Sequence, residues 1–191
     1  MNMSTTQIFI ELLITGFGGL IWIVLIVLAA GGLEIDLILA GEHSSIILFP
    51  LAGIAYILGI LIDRIGYQLF NKPEKKQMQK VFKNEEKLGK VKHMAKFIML
   101  KSERLSGEID YNRSRLRLCR SWVINFFCIS VALLLYIFLN SVTNSKFFII
   151  LSISCLILSI ISAIVWRKLT RDYYINIASS YNHLKKIKKP V

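Results

Sequence analysis

The sequence predicts an all-α membrane protein with four transmembrane helices and a basic helical insert between the second and the third. Two observations lead to this fold class. First, 54% of the 191 residues are hydrophobic and yet the formal net charge is +12, a combination that soluble domains of this size seldom show. Second, four stretches of the chain are apolar over about the 20 residues that a helix needs to cross a bilayer.

The predicted spans differ in where they carry charge. In chain order they are residues 8–30, 45–61, 122–139 and 147–166. Glu11 is the only charged residue of the first span, the adjacent pair Asp63 and Arg64 follows the second, and the last two contain no charge. Because no basic segment precedes the first span, we interpret it as retained in the membrane rather than as a cleaved signal peptide.

Lysine and arginine are distributed unevenly around these spans. They crowd the segment between spans two and three and the tail after span four, whereas the loop between spans one and two carries Glu34, Asp36 and Glu42 without a base. The positive-inside rule therefore predicts that both termini and the long middle segment are cytosolic. The resulting regions are a first transmembrane hairpin (1–70), a basic cytosolic insert (71–120), a second transmembrane hairpin (121–168) and a basic cytosolic tail (169–191).

The insert has the pattern of a basic amphipathic helix over residues 72–105, with Pro73 in its first turn and Gly107 as its stop. Such a helix either lies on anionic lipid or docks a partner, or it packs its apolar stripe against other cytosolic helices. The lysines that would form a partner or lipid surface are Lys76, Lys80, Lys83, Lys87 and Lys90 of the insert, with Lys185, Lys186, Lys188 and Lys189 of the tail.

A row of charged residues leads into the third span. Asp110, Arg113, Arg117 and Arg120 follow one another at spacings of three, four and three, so they share a face of a continuous helix. Three interpretations remain open for this row. The row can be a basic segment flanking the span on its cytosolic side, with arginines that reach headgroup phosphates. It can instead be an ion-pair network that includes Asp110 and its neighbouring glutamates, or a binding site for phosphate or nucleotide.

The acids at the membrane edge also need partners. Asp63 and Arg64 are adjacent and diverge by about 100° on a helix, so each needs a different one. Asp63 is expected to pair with Arg117 or Arg120 and to join spans two and three, or else to line an ion or proton path. Glu11 is expected either near Arg64 or a tail lysine, or deeper, at a subunit junction or pore.

Nothing in the sequence predicts catalysis. The three histidines are scattered, and no nucleophile, phosphate-loop or metal-ligand motif occurs. We therefore expect a non-enzyme without a metal or cofactor. Nucleic acid is not expected as a direct ligand because aromatic residues are not interleaved with the basic ones. Membrane lipid is the anionic partner that we expect instead. The glycines of the spans allow close helix approach, so we also expect a homo-oligomer.

The layout of four spans with a basic insert, together with the stretch "DYNRSRLRLCRSWVIN" at residues 110–125, resembles the small four-span membrane components of bacterial antiphage defence systems. These include the membrane subunit of the Kiwa system and the four-span effectors of nucleotide-signalling systems. The resemblance lies in layout over most of the chain and transfers no functional residue. It implies a homo-oligomer in the bacterial inner membrane that senses envelope disturbance or perturbs the membrane, coupled to a cytosolic protein.

Two functions follow as hypotheses. The first is a multipass inner-membrane subunit that acts as an oligomeric sensor or scaffold and docks a cytosolic partner. The second is an ion-conducting or membrane-permeabilising effector, for which Glu11, Asp63 and the glycine-rich first span are the motivating features.

Overall fold

Five α-helices form the described part of the chain, which in this computed structural model is residues 5–31, 44–82, 85–140 and 145–187. They are α1 (Thr5–Gly31), α2 (Ser44–Val81), α3 (Glu85–Lys101), α4 (Glu103–Leu139) and α5 (Ser145–Ile187). No strand occurs within these ranges. All but α3 are long and apolar enough to cross a membrane, as the sequence predicts. The acidic loop with Glu34, Asp36 and Glu42 lies outside the described residues.

The four long helices pack as two connected pairs. α4 packs along α5, and α1 packs along both α2 and α4. At one end of the bundle, α2, α4 and α5 continue beyond their apolar stretches, and α3 packs there against α5 and α4. We call this region the basic end: residues 63–81 of α2, all of α3, residues 103–120 of α4 and residues 167–187 of α5.

Close backbone approach joins α1 to α2. A Cβ atom added at Gly16 would overlap the carbonyl group of Ala55, and one added at Gly59 would overlap the backbone of Leu12. The two glycines therefore allow the helices to touch along their backbones, as small residues do in membrane helix pairs. Gly53 of α2, by contrast, faces open space.

The spanning region buries polar side chains and exposes large apolar ones. Asn125 is fully buried and donates to the carbonyl oxygen of Thr15 at 2.9 Å. The Ser130 and Ser152 hydroxyls are 2.9 Å apart, and Ser159 donates to the carbonyl oxygen of Val123 at 2.9 Å. The outward residues of α5 within this region are mostly isoleucine and leucine. This arrangement is typical of helices that have lipid around them.

The basic end has the opposite arrangement, with an apolar core of its own. It consists of Phe82, Val91, Met94, Ala95, Ile98, Ile109, Tyr174 and Ile177. The α3 residues in this cluster recur at helical spacing, which is the apolar stripe that the sequence predicts. The sequence left two interpretations of the amphipathic insert open. In the described structure its apolar stripe packs against other helices.

The predicted helix over residues 72–105 is wrong in its boundaries. α2 continues through Pro73 to Val81, and Gly107 lies inside α4. Contacts on both sides of Pro73 favour the continuous helix, because Phe70 packs edge-on against Trp166 and Tyr174 donates to Glu74. The insert is instead interrupted at Ser102, which is extended and caps α4 by accepting from the Leu105 amide at 3.4 Å, a common helix start.

Candidate functional site

Glu11 of α1 is buried against α4 at the basic end. Its carboxylate accepts a hydrogen bond from the Ser114 hydroxyl, and Nη2 of Arg117 lies 3.1 Å from its Oε2 atom. The expected partners, Arg64 or a tail lysine, are therefore wrong. The reason is that α1 packs along α4, where Ser114 and Arg117 occupy successive turns of one face.

Asp63 of α2 forms the second ion pair with α4. Nη2 of Arg120 donates to Oδ1 of Asp63 at 2.7 Å. Of the two partners predicted for Asp63, Arg117 and Arg120, the structure therefore pairs it with Arg120. Two neighbours on α2 accommodate the arginine. Gly66 leaves room for it, since an added Cβ would lie 3.3 Å from Cγ of Arg120, and the Tyr67 ring centroid lies 5.6 Å from the guanidinium carbon.

These two pairs form a single charged layer. We call Glu11, Asp63, Ser114, Arg117 and Arg120 the ion-pair layer. Arg117 and Arg120 are three residues apart on α4, and they join that helix to α1 and to α2 respectively. The Arg120 side chain is only 8% exposed, and a buried charge that loses its partner is strongly destabilising. The layer therefore ties three helices together at the basic end.

Arg113 of the row and Arg115 beside it make exposed contacts. Nη2 of Arg113 lies 3.3 Å from the Tyr173 hydroxyl, and Nη1 lies 3.7 Å from Asp110. Arg115 is exposed over the Tyr111 ring. The interhelical network thus uses Glu11 and Asp63 as its acids, whereas Asp110 pairs within its own helix.

Arg64 is exposed and does not pair with its neighbour Asp63, which bonds to Arg120 instead, in keeping with the divergence of adjacent helical residues. It lines a cleft of about 1460 Å³ between α2, α3, α4 and α5 at the basic end. The cleft begins beside the spanning residues Leu12, Ile60 and Leu61 and extends to α3. Its mouth therefore joins the apolar surface of the bundle to the basic end.

Basic side chains dominate the polar lining of this cleft. Of the described residues, seven lysines and arginines line it against two carboxylates, Asp63 and Glu74. Asp63 bonds to Arg120, and Glu74 accepts the Tyr174 hydroxyl at 2.9 Å. The seven basic residues are Arg64, Lys75, Lys92, Lys96, Arg113, Arg117 and Arg120.

The predicted lysine surface is only partly described. Lys76 and Lys80 are exposed on α2, one turn apart, and Lys185 is exposed on α5. None of these three lines the cleft. Lys83, Lys188 and Lys189 lie outside the described residues, as do the side chains of Lys87, Lys90 and Lys186.

Sequence reasoning missed several residues that complete the site. Ser114 stands one turn before Arg117 and Gly66 stands one turn after Asp63, so helical spacing alone could have associated each with its charged neighbour. Asn125 is fully buried and fills the space beside Gly18, which its position inside an apolar span does not indicate. Tyr173 carries no signal in the sequence because its contact with Arg113 joins residues 60 positions apart.

The chemistry of the site favours binding of an anion. Among the described residues, no group of three or more His, Cys, Asp or Glu side chains could hold a metal ion. Guanidinium and ammonium groups in a confined cleft suit phosphate and carboxylate ligands. The arrangement therefore offers electrostatic recognition at the end of a membrane bundle.

Comparison with known proteins finds no relative of this chain. No protein-family model matches the chain, and no curated protein or solved structure matches it. Function is accordingly inferred from the charge pattern and from the geometry of the basic end.

Proposed function

We propose that this chain is a multipass subunit of the bacterial inner membrane that belongs to a defence system and acts as an oligomeric sensor or scaffold. Its basic end lies in the cytosol and docks a soluble protein, and the chain acts by binding rather than by catalysis. The charge asymmetry of the loops supports this orientation. The resemblance to four-span defence components supports the biological setting.

One observation carries the docking proposal. Extramembrane helices gather at the basic end, and Lys76, Lys80 and Lys185 are exposed there. Lysines that point into water make little contribution to the stability of a helix bundle, so their exposure leaves them available to an acidic partner. The partner surface that fits them carries carboxylates, because complementary charges steer association and set its orientation.

The test is co-purification of the full chain, expressed together with its neighbouring genes and kept in native nanodiscs. We expect the mass of the complex to include more than one copy of the chain and a soluble protein in fixed ratio. The double variant Lys76→Gln/Lys80→Gln is expected to reduce recovery of that protein by about tenfold, since two charge-assisted contacts are lost.

The matched control is Lys92→Gln/Lys96→Gln, which removes the same charge from exposed lysines of α3 that line the cleft. We expect this control to recover the partner like the unmodified chain. A complex that contains only copies of this chain, or equal losses in both double variants, would contradict docking at the α2 lysines.

The alternative function, an ion-conducting or membrane-permeabilising effector, has less support. Both acids that motivated it are engaged within the chain, Glu11 with Arg117 and Asp63 with Arg120. Gly16 of the glycine-rich first span packs against the Ala55 backbone, so it does not line an open path. Overexpression that depolarises cells, together with conductance of the purified chain in planar bilayers, would reverse this preference.

A further inference from the structure

Among its described lining residues, the cleft at the basic end has more positive charge than its acids neutralise. Arg113, Arg117 and Arg120 bond to Tyr173, Glu11 and Asp63 respectively. Within the described ranges, the other basic residues of the lining form no ion pair; they are Arg64, Lys75, Lys92 and Lys96. Like charges that share a confined space repel one another, and a polyvalent anion between them removes that repulsion.

Arg120 adds a second, independent observation. It lines the cleft and is 7% exposed as a residue, and its Nε atom is buried beside Gly66 without a hydrogen-bond partner among the described residues. A buried donor without a partner is costly, and a guanidinium group matches the oxygen geometry of phosphate. The acids beside it do not compete for the ligand site, because Asp63 is held by Arg120 and Glu74 by Tyr174.

We propose that this cleft binds a phosphate-bearing anion between α2, α3 and α4. Arg64 and Arg120 reach it from the membrane side, and Lys75, Lys92 and Lys96 reach it from the opposite side. The volume of about 1460 Å³ exceeds that of an ordinary small-molecule pocket, so it accommodates a headgroup or a nucleotide-sized ligand. This inference does not depend on the docking surface, because Lys76 and Lys80 do not line the cleft.

Two sources can supply the same phosphate chemistry. Ile60 and Leu61 are exposed at the spanning edge of the cleft, where the acyl chains of an anionic phospholipid would lie while its headgroup meets the arginines. Lys92 and Lys96 are exposed on α3 at the other edge, through which a soluble phosphate compound would enter. The experiment therefore needs one probe for each source.

The test uses the full chain in nanodiscs of phosphatidylcholine. Cardiolipin is the lipid probe, and its retention is measured by native mass spectrometry; ATP is the soluble probe, and its binding is measured by titration calorimetry. Retention of cardiolipin alone identifies a lipid site, and binding of ATP alone identifies a soluble ligand. In either case Lys92→Gln/Lys96→Gln is expected to weaken binding by about tenfold, because two cationic contacts are lost.

The matched control is Lys76→Gln/Lys80→Gln, which removes the same charge outside the cleft and is expected to bind the probe like the unmodified chain. Both double variants change only exposed side chains, so folding is preserved, and the size-exclusion profile verifies it. Failure of the unmodified chain to bind either probe would overturn the proposal. Equal weakening in both variants would also overturn it, since attraction to general surface charge would then explain binding.

Discussion

Ser152 and Ile98 are both almost completely buried, at 2% and 0% exposed, yet they belong to two opposite kinds of core. Ser152 lies on α5 in the spanning region, where its hydroxyl meets Ser130 and isoleucines face outward. Ile98 lies on α3 in the basic end, where apolar side chains face inward and lysines face outward. One chain therefore contains both arrangements, and they meet at the ion-pair layer.

The direction in which large apolar side chains face indicates whether lipid or water surrounds each region. In hydrocarbon, a large apolar side chain loses nothing by facing lipid, so helices associate through close packing and hydrogen bonds. In water, removal of apolar surface from solvent drives association. Because the pattern inverts between the apolar stretches and the basic end, we place the membrane boundary near Glu11 and Asp63. Each region should therefore lose most stability when the force that holds it is removed.

The largest expected effect comes from breaking the close backbone packing of the spanning region. Gly16→Leu adds a Cβ that overlaps the Ala55 carbonyl, so α1 and α2 must separate. We expect a loss of more than about 3 kcal/mol of stability, at the upper end of overpacking effects. The measurement is the yield of monodisperse protein in detergent with its unfolding midpoint.

Gly53→Leu is the control for that substitution, because Gly53 faces open space. We expect it to leave the yield and the midpoint nearly unchanged within an isolated chain. If both variants lose the folded protein equally, backbone proximity is not what holds α1 to α2.

The second prediction concerns the water-facing core. Ile98→Ala removes a fully buried side chain from the α3 cluster and is expected to cost about 3 kcal/mol, within the usual range for such truncations. Leu100→Ala, on the same helix but 75% exposed, is expected to cost less than about 0.5 kcal/mol. Hydrogen exchange read separately for α3 and for the spans checks both variants. Faster exchange in the spans but not in α3 would contradict a separate core at the basic end.

The third prediction concerns the ion-pair layer that lies between the two regions. Asp63→Asn leaves Arg120 with a buried charge, and we expect a loss of about 2 kcal/mol, below the value for a fully buried pair, because the Asp63 side chain is 27% exposed. The second substitution Arg120→Gln is expected to restore part of the loss. Thermal unfolding of the two single variants and the double variant measures this coupling. Additive losses would show that the contact does not couple the residues.

The spans were predictable from the sequence because a bilayer requires long apolar stretches, and residues 122–139 and 147–166 satisfy that requirement by composition alone. The Asp63 pairing was also within reach, since both residues had to lie at the same membrane edge. The partner of Glu11 could not be predicted, because the sequence does not reveal that α1 packs along α4 rather than beside the tail.

The basic insert shows a different limit. Its apolar stripe was visible from spacing, but its helix boundaries were not, because they depend on tertiary contacts. Pro73 stays inside α2 where Phe70 packs on Trp166 and Tyr174 reaches Glu74. The cleft could not be foreseen either, because its lining comes from residues on separate helices that only the fold brings together.

The smallest expected effect tests whether hydrogen bonds between the spans add to close packing. Ser152→Ala removes the hydroxyl that meets Ser130 across α4 and α5, and we expect a cost of about 0.6 kcal/mol, the average for such bonds in membrane helices. Ser154→Ala is the control, because its hydroxyl is exposed and bonds only to the Ile150 carbonyl of its own helix; its cost should be near zero. Unfolding in the same detergent compares the two. A larger cost for Ser154 would mean that local helix geometry, and not the contact between α4 and α5, sets the effect of these serines.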